Sequence, residues 1–161
     1  MESQLLVERK KLIWAAEPKN YTGAAMAAKY VSLKNYQWIS IVITTGAWAA
    51  GTAAVTLLQA TDVSATGAKA LAFGIPFQWN DITTSGTLVK TAVVSDTFNL
   101  TTANKMHVIE INPAQLDVAN GFDCLTLAIA SPGANNDFYG VAYILGNPRY
   151  AADTPPTALI D

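Results

Sequence analysis

From Tyr30 onward the chain is cut at short, even intervals by turn-forming residues, and the pieces between are rich in β-branched and aromatic side chains. The interruptions are Gly46 to Gly51, Asp62 to Gly67, Thr83 to Gly86, Asn120-Gly121 and Ser131 to Asp137. Short apolar runs so punctuated have room for strands and little room for amphipathic helices. The run Tyr36–Thr45 stops at Gly46 and is the clearest strand; further candidates are Ala54–Thr61, Ala68–Gly74, Pro76–Trp79, Leu88–Val94, Thr97–Leu100, Met106–Ile111, Cys124–Ala130 and Phe138–Leu145. This spacing predicts an all-β chain, a sandwich, jelly roll or barrel, and we take it as an antiparallel β-sandwich, jelly-roll-like. One exception is Asn112 to Ala119, where Asn112 can cap and Pro113 can start a short helical turn between two strands.

The period of the first strand carries more than fold class. Ile39, Ile41 and Ile43 alternate onto one face, while Tyr36, Trp38, Ser40 and Val42 lie on the other, so both faces are expected to be at least partly covered, a hint of packing beyond a lone sandwich. Composition agrees: 51% of the residues are hydrophobic and 14% charged, against roughly 25% charged in an average soluble domain. A surface so poor in charge favours association, with copies of itself or with other subunits.

At 161 residues the chain has length for one core. We divide it into an N-terminal arm (1–28), a sandwich domain (29–148) and a C-terminal tail (149–161), the last because Pro155 and Pro156 lack amide donors for a central strand. Residues 5–16 fit a helix or an extended arm equally. Six of the ten basic residues fall within residues 1–34, giving that segment +3 against −5 for the rest. The arm joins a basic cluster, Arg9, Lys10 and Lys11, to an apolar one, Leu12, Ile13 and Trp14, and it is expected to reach away and clamp a neighbouring subunit. With Trp48, whose Gly/Ala-rich surroundings suggest an exposed turn, these are the candidate partner-binding residues.

Several functions lack the residues they need. A net charge of −2 and a pI near 5.3 leave no footprint for nucleic acid. The most apolar window, Tyr36 to Leu58, is broken by polar residues and glycine, so no membrane span is expected, and the apolar stretch Leu12 to Ala16 is too short for a signal peptide. One cysteine, Cys124, forms no internal disulfide framework and reads as a buried residue of the run CLTLAIA. His107 shares a strand face with Ile109 and Ile111, opposite Glu110, which reads as a partly buried histidine rather than a catalytic one. No nucleophile elbow, zinc-protease helix, phosphate loop or dinucleotide fingerprint occurs, so we expect no enzyme and no cofactor. Asn135, Asn136 and Asp137 form the one oxygen-rich loop; a turn is favoured there over a calcium site. Trp14, Trp38, Trp48 and Trp79 raise glycan stacking as the weaker alternative function, with Trp48 its best platform.

Two stretches resemble virion structural proteins of tailed bacteriophages. Thr44 to Leu71, TTGAWAAGTAAVTLLQATDVSATGAKAL, is similar to a pattern in which a GAW or GTW turn leads to a strand ending in LxQATD and then to GAKAL. Leu116 to Leu125, LDVANGFDCL, is similar to a second such segment. Together they cover about a quarter of the chain, and Ala65 departs from the pattern by replacing a common glycine. The resemblance implies a capsid decoration or cement protein on the virion head surface, made in the cytoplasm of a bacterial host and bound to the major capsid protein, with a tail or baseplate component as the alternative. It carries no catalytic residue.

Overall fold

A computed structural model describes residues 6–71, 77–81, 83–84, 86–93, 97–149 and 155–160. A single helical turn, α1 (Leu6–Arg9), precedes twelve strands: β1 (Lys10–Asn20), β2 (Met26–Ala27), β3 (Val31–Ser32), β4 (Tyr36–Trp48), β5 (Ala53–Ala60), β6 (Lys69–Ala70), β7 (Phe77–Asp81), β8 (Val89–Thr91), β9 (Thr97–Leu100), β10 (Lys105–Ile111), β11 (Cys124–Ile129) and β12 (Asp137–Pro148). All pairings are antiparallel. They form two sheets, a larger one in the order β1-β12-β4-β10-β7-β8 and a smaller one in the order β2-β11-β5-β6, where β3 also pairs with β11 and β9 with β5. The expected all-β sandwich is therefore the fold, and the strands read from Tyr36, Ala54, Thr97, Met106, Cys124 and Phe138 all form within a few residues of their expected bounds. Parts of the candidates at 68–74, 76–79 and 88–94 lie outside the described residues.

Alternation builds the core. Ile39, Ile41 and Ile43 of β4, Ile109 and Ile111 of β10, and Tyr139, Val141, Tyr143 and Leu145 of β12 point inward from the larger sheet, meeting Val55 and Leu57 of β5 and Leu125, Leu127 and Ile129 of β11. The two layers are also joined by a polar contact: the Leu127 amide donates to the Tyr143 hydroxyl at 3.0 Å, deep in the interior. The Asn112 turn forms as expected, a short 3-10 segment at Pro113–Gln115. The Asn112 side chain accepts from Ala114 while Gln115 reaches back to the Asn112 amide, satisfying donors that would otherwise lack partners.

Both termini differ from expectation. Residues 10–20, assigned to a departing arm, instead run as β1 along β12, from Lys10 opposite Gly146 to Asn20 opposite Phe138. The physical reason is burial: Ala15 is enclosed, Ile13 packs on the core, and Tyr21 just beyond stacks on Tyr139 at 4.3 Å. Residues 155–160, assigned to a tail, lie against the sandwich. Ser32 donates to the Ala158 carbonyl at 2.8 Å, the Tyr36 hydroxyl donates to the Pro156 carbonyl, and Ala158 belongs to the core. The segment contributes no strand, as its prolines require.

Candidate functional site

The seven candidate partner-binding residues separate into three groups. Arg9 ends α1 and is exposed. Along β1 the side chains alternate: Lys11 and Ile13 turn toward the interior side, while Lys10, Leu12 and Trp14 lie on the outer face of the larger sheet. Trp14 is 65% exposed and Leu12 46%, with Leu6 and Val7 of α1 also in solvent. Trp48 goes elsewhere.

The outer face continues this apolar character across four strands. Cross-strand partners share a face, so the register aligns Trp14 with Ala142, Val42 and Val108, and aligns Leu12 with Ile144, Ser40 and Glu110. A third row runs from Lys10 through Gly146 to Trp38. Here glycine is required by a close approach, because a Cβ on Gly146 would sit 2.0 Å from the Trp38 indole. The Lys10 ammonium lies 4.2 Å from the centre of that ring, a cation–π contact that orients the indole against the sheet. Within the three rows the charges are Lys10 and Glu110. Sandwich sheets usually turn polar residues outward, so this face has the composition of a contact surface. Sequence reading found Trp38, Ser40 and Val42 on it but missed Ile144, Ala142 and Val108, whose membership depends on which strands become neighbours.

Trp48 is not the exposed turn residue expected. Strand β4 continues through Gly46 to Trp48, where it pairs with Asp137, and the indole is half-buried, packed on the core beside Tyr139. Its Nε1 donates to the Gly51 carbonyl at 3.3 Å. Gly51 itself must be glycine: φ is +98° and a Cβ there would lie 2.2 Å from the Pro132 carbonyl oxygen. The oxygen-rich loop behind it carries a hydrogen-bond network of its own, which leaves Asp137 Oδ2 buried without a partner among the described residues. Asn20 Oδ1 accepts from the Thr22 amide and hydroxyl and from the Asp137 amide, Asn136 Oδ1 accepts from Asn20 and Thr22, and Asp137 Oδ1 accepts from the Ala49 amide at 2.7 Å. This is a network that fastens the β11–β12 connection to β1 and β4, and among the described residues no group of three or more His, Cys, Asp or Glu side chains is placed to hold a metal.

The two stretches that carry the phage resemblance, far apart in sequence, meet in space. Their strands pair, Ala60 with Cys124 and Gln59 with Leu125. Gln59 Oε1 accepts from the Asp117 amide at 2.8 Å, and Lys69 forms an ion pair with Asp117 while its ammonium lies 4.0 Å from the centre of the Phe122 ring. Asp117 also accepts from Asn120, and these bonds, that from Lys69 first, hold its carboxyl below the usual aspartate range. Asp62 Oδ1 accepts from Ser64 and Thr66 and closes the preceding loop. The matched residues thus form one structural corner, a turn-and-strand unit held by side-chain bonds.

His107 sits where the strand period put it, on the inner face of β10, buried and 5.7 Å from the Phe98 ring. Burial, assisted by nearby Lys105, lowers its pKa to about 4. Cys124 is buried too. Among the described residues no helix is long and apolar enough to cross a membrane.

No family model and no curated protein matches this chain. Among solved structures it is similar to SPBc2 prophage-derived protein YomS, with a TM-score of 0.43 and 8% identity over 85% of this chain and 93% of that one. It is also similar to chains from infectious bursal disease virus, Gx strain (TM-score 0.24, 12% identity, 85% of this chain and 39% of that one) and Gt strain (TM-score 0.23, 14% identity, 87% and 41%). At these scores the likenesses assign neither family nor function.

Proposed function

We propose that the protein is a non-enzymatic structural subunit of a tailed-phage virion, a decoration or cement protein that binds the major capsid lattice on the head surface. The observation that carries the binding role is the outer face of the larger sheet, where Trp14, Leu12, Ile144, Ala142, Val42, Val108 and Trp38 form a contiguous apolar surface on the side away from the core. The phage assignment draws on the two resembling stretches, supported by their meeting in one corner around Gln59, Lys69 and Asp117. Strand order supports the jelly-roll reading: the first strand pairs with the last, and the chain passes between sheets so that β11 lies beside β2, β3 and β5, the nested arrangement of two Greek keys.

The action follows from the surface. A protein that binds the assembled lattice and not its separated subunits stabilises the assembly by mass action, and apolar contacts contribute roughly 25 cal/mol per Å² removed from water. Large aromatic residues dominate such interfaces when they enter a pocket on the partner, which makes Trp14 the expected anchor. The test is addition of purified protein to heads that lack it. Wild-type protein should bind and raise resistance to heat or osmotic shock, Trp14→Asp should fold and bind at least about tenfold more weakly, and an antibody label should appear on heads. Label confined to tails would favour the tail or baseplate reading, and absence of binding to either would overturn the virion assignment.

A further inference from the structure

We propose that two copies of this chain associate through β1, pairing antiparallel about a two-fold axis to make one continuous sheet of twelve strands. The reason lies in the edges. Sheets protect their edges by keeping edge strands short, and β2, β3, β6, β8 and β9 do so with two, two, two, three and four residues. Strand β1 is the exception, with eleven residues lying on the outside of the larger sheet. Its second half is blunted: the register with β12 is interrupted between Trp14 and Ala16 and again between Ala16 and Lys19, and Pro18 lacks an amide. Its first half is not. Lys10 to Trp14 is regular, and every second residue turns its backbone amide and carbonyl away from β12.

The occupant is chosen by charge and shape. The midpoint of the regular stretch is Leu12, so a two-fold axis there sets Leu12 against Leu12 of the second copy, Lys11 against Ile13 and Lys10 against Trp14. A parallel arrangement would stack the basic cluster Arg9, Lys10 and Lys11 on itself, which is unfavourable for residues directly opposite. The antiparallel one sets Lys10 opposite Trp14 and Lys11 opposite Ile13, so no two basic residues are directly opposed. Leu6, Val7, Leu12 and Trp14, now in solvent, gain cover from the same residues of the second copy, as an isologous interface requires. The two outer faces join into one apolar surface of doubled width.

This inference stands apart from the virion assignment, because it concerns the isolated protein. Sedimentation or light scattering should give twice the 17.1 kDa chain mass. Leu12→Cys should oxidise to a disulfide-linked dimer, since directly opposed strand residues fall within disulfide reach. Val118→Cys, also exposed but on the short 3-10 turn before β11 and not on β1, should stay uncrosslinked. Trp14→Asp should weaken association at least about 30-fold with an unchanged circular dichroism spectrum. A chain that stays monomeric up to about 0.1 mM, where an interface of standard size is saturated, overturns the proposal. So does a dimer that withstands Trp14→Asp and leaves Leu12→Cys reduced, because its contact would then lie elsewhere.

Discussion

On the inner face of β10, His107 couples stability to pH in a way its strand neighbours predict. Burial first and Lys105 second lower its pKa from 6.5 to about 4 in the folded chain. The unfolded chain therefore takes up the proton first, and the folded state loses stability as pH falls from about 6.5 toward 4, by up to roughly 3 kcal/mol at 1.36 kcal/mol per unit. Urea unfolding at pH 7 and pH 4.5 should show that loss, and His107→Gln should remove most of it. The loop at Asp62 makes a second prediction. Ala65, the residue that departs from the resembling pattern by replacing a glycine, has φ +70°. A left-handed residue with a side chain costs roughly 1–2 kcal/mol, and glycine gives back roughly 0.5–1 kcal/mol through its freer unfolded chain. Ala65→Gly should thus raise stability by about 0.5–1 kcal/mol in thermal unfolding. His107 was legible because a period of two fixes a face. Trp48 was not, since its glycine and alanine neighbours suggest a turn and only pairing with Asp137 carries β4 past them.

At the scale of elements, β1 separates what a local pattern can reveal from what it cannot. Leu12 and Trp14 are as apolar as Ile13 and Ala15 on the opposite face, so the segment lacks the polar and apolar alternation that marks a half-buried strand. Its partner β12 lies at the far end of the sequence, beyond any local signal. The two-residue strands β2 and β3 were equally invisible, being too short to show a period. Strands with strong turns on both sides, such as β5 and β11, were readable from their own residues. Deletions test the role of β1. Removing residues 1–9 takes away α1, none of whose residues is buried, and should change stability by no more than about 0.5 kcal/mol. Removing residues 1–20 strips β12 of one of its two neighbours and the core of Ala15 and Ile13. Domains hold only about 5–15 kcal/mol in total, so this chain should lose its cooperative unfolding transition. A folded, cooperative product from the longer deletion would mean that β1 is an appendage after all.

For the molecule as a whole, the question is whether charge or apolar surface drives its association. Sequence alone made the basic cluster at residues 9–11 prominent, while the fold places Lys10 on Trp38 and sets Leu12 and Trp14 within a broad apolar face. These alternatives respond oppositely to salt. Ions screen attraction between exposed charges, with a Debye length that falls from about 10 Å at 0.1 M to about 3 Å at 1 M, whereas sulfate strengthens apolar association by its exclusion from protein surface. Association through β1 and the outer face should therefore survive 1 M sodium chloride with no more than about a tenfold loss and tighten in ammonium sulfate. Arg9→Ala, at the exposed end of α1, should alter chiefly the association rate, as charges at an interface rim do, while Trp14→Asp should accelerate dissociation. Binding measured by surface plasmon resonance across a salt series separates the two. A steep loss of affinity with added salt, unchanged by Trp14→Asp, would make the basic cluster the contact and the apolar face incidental to it.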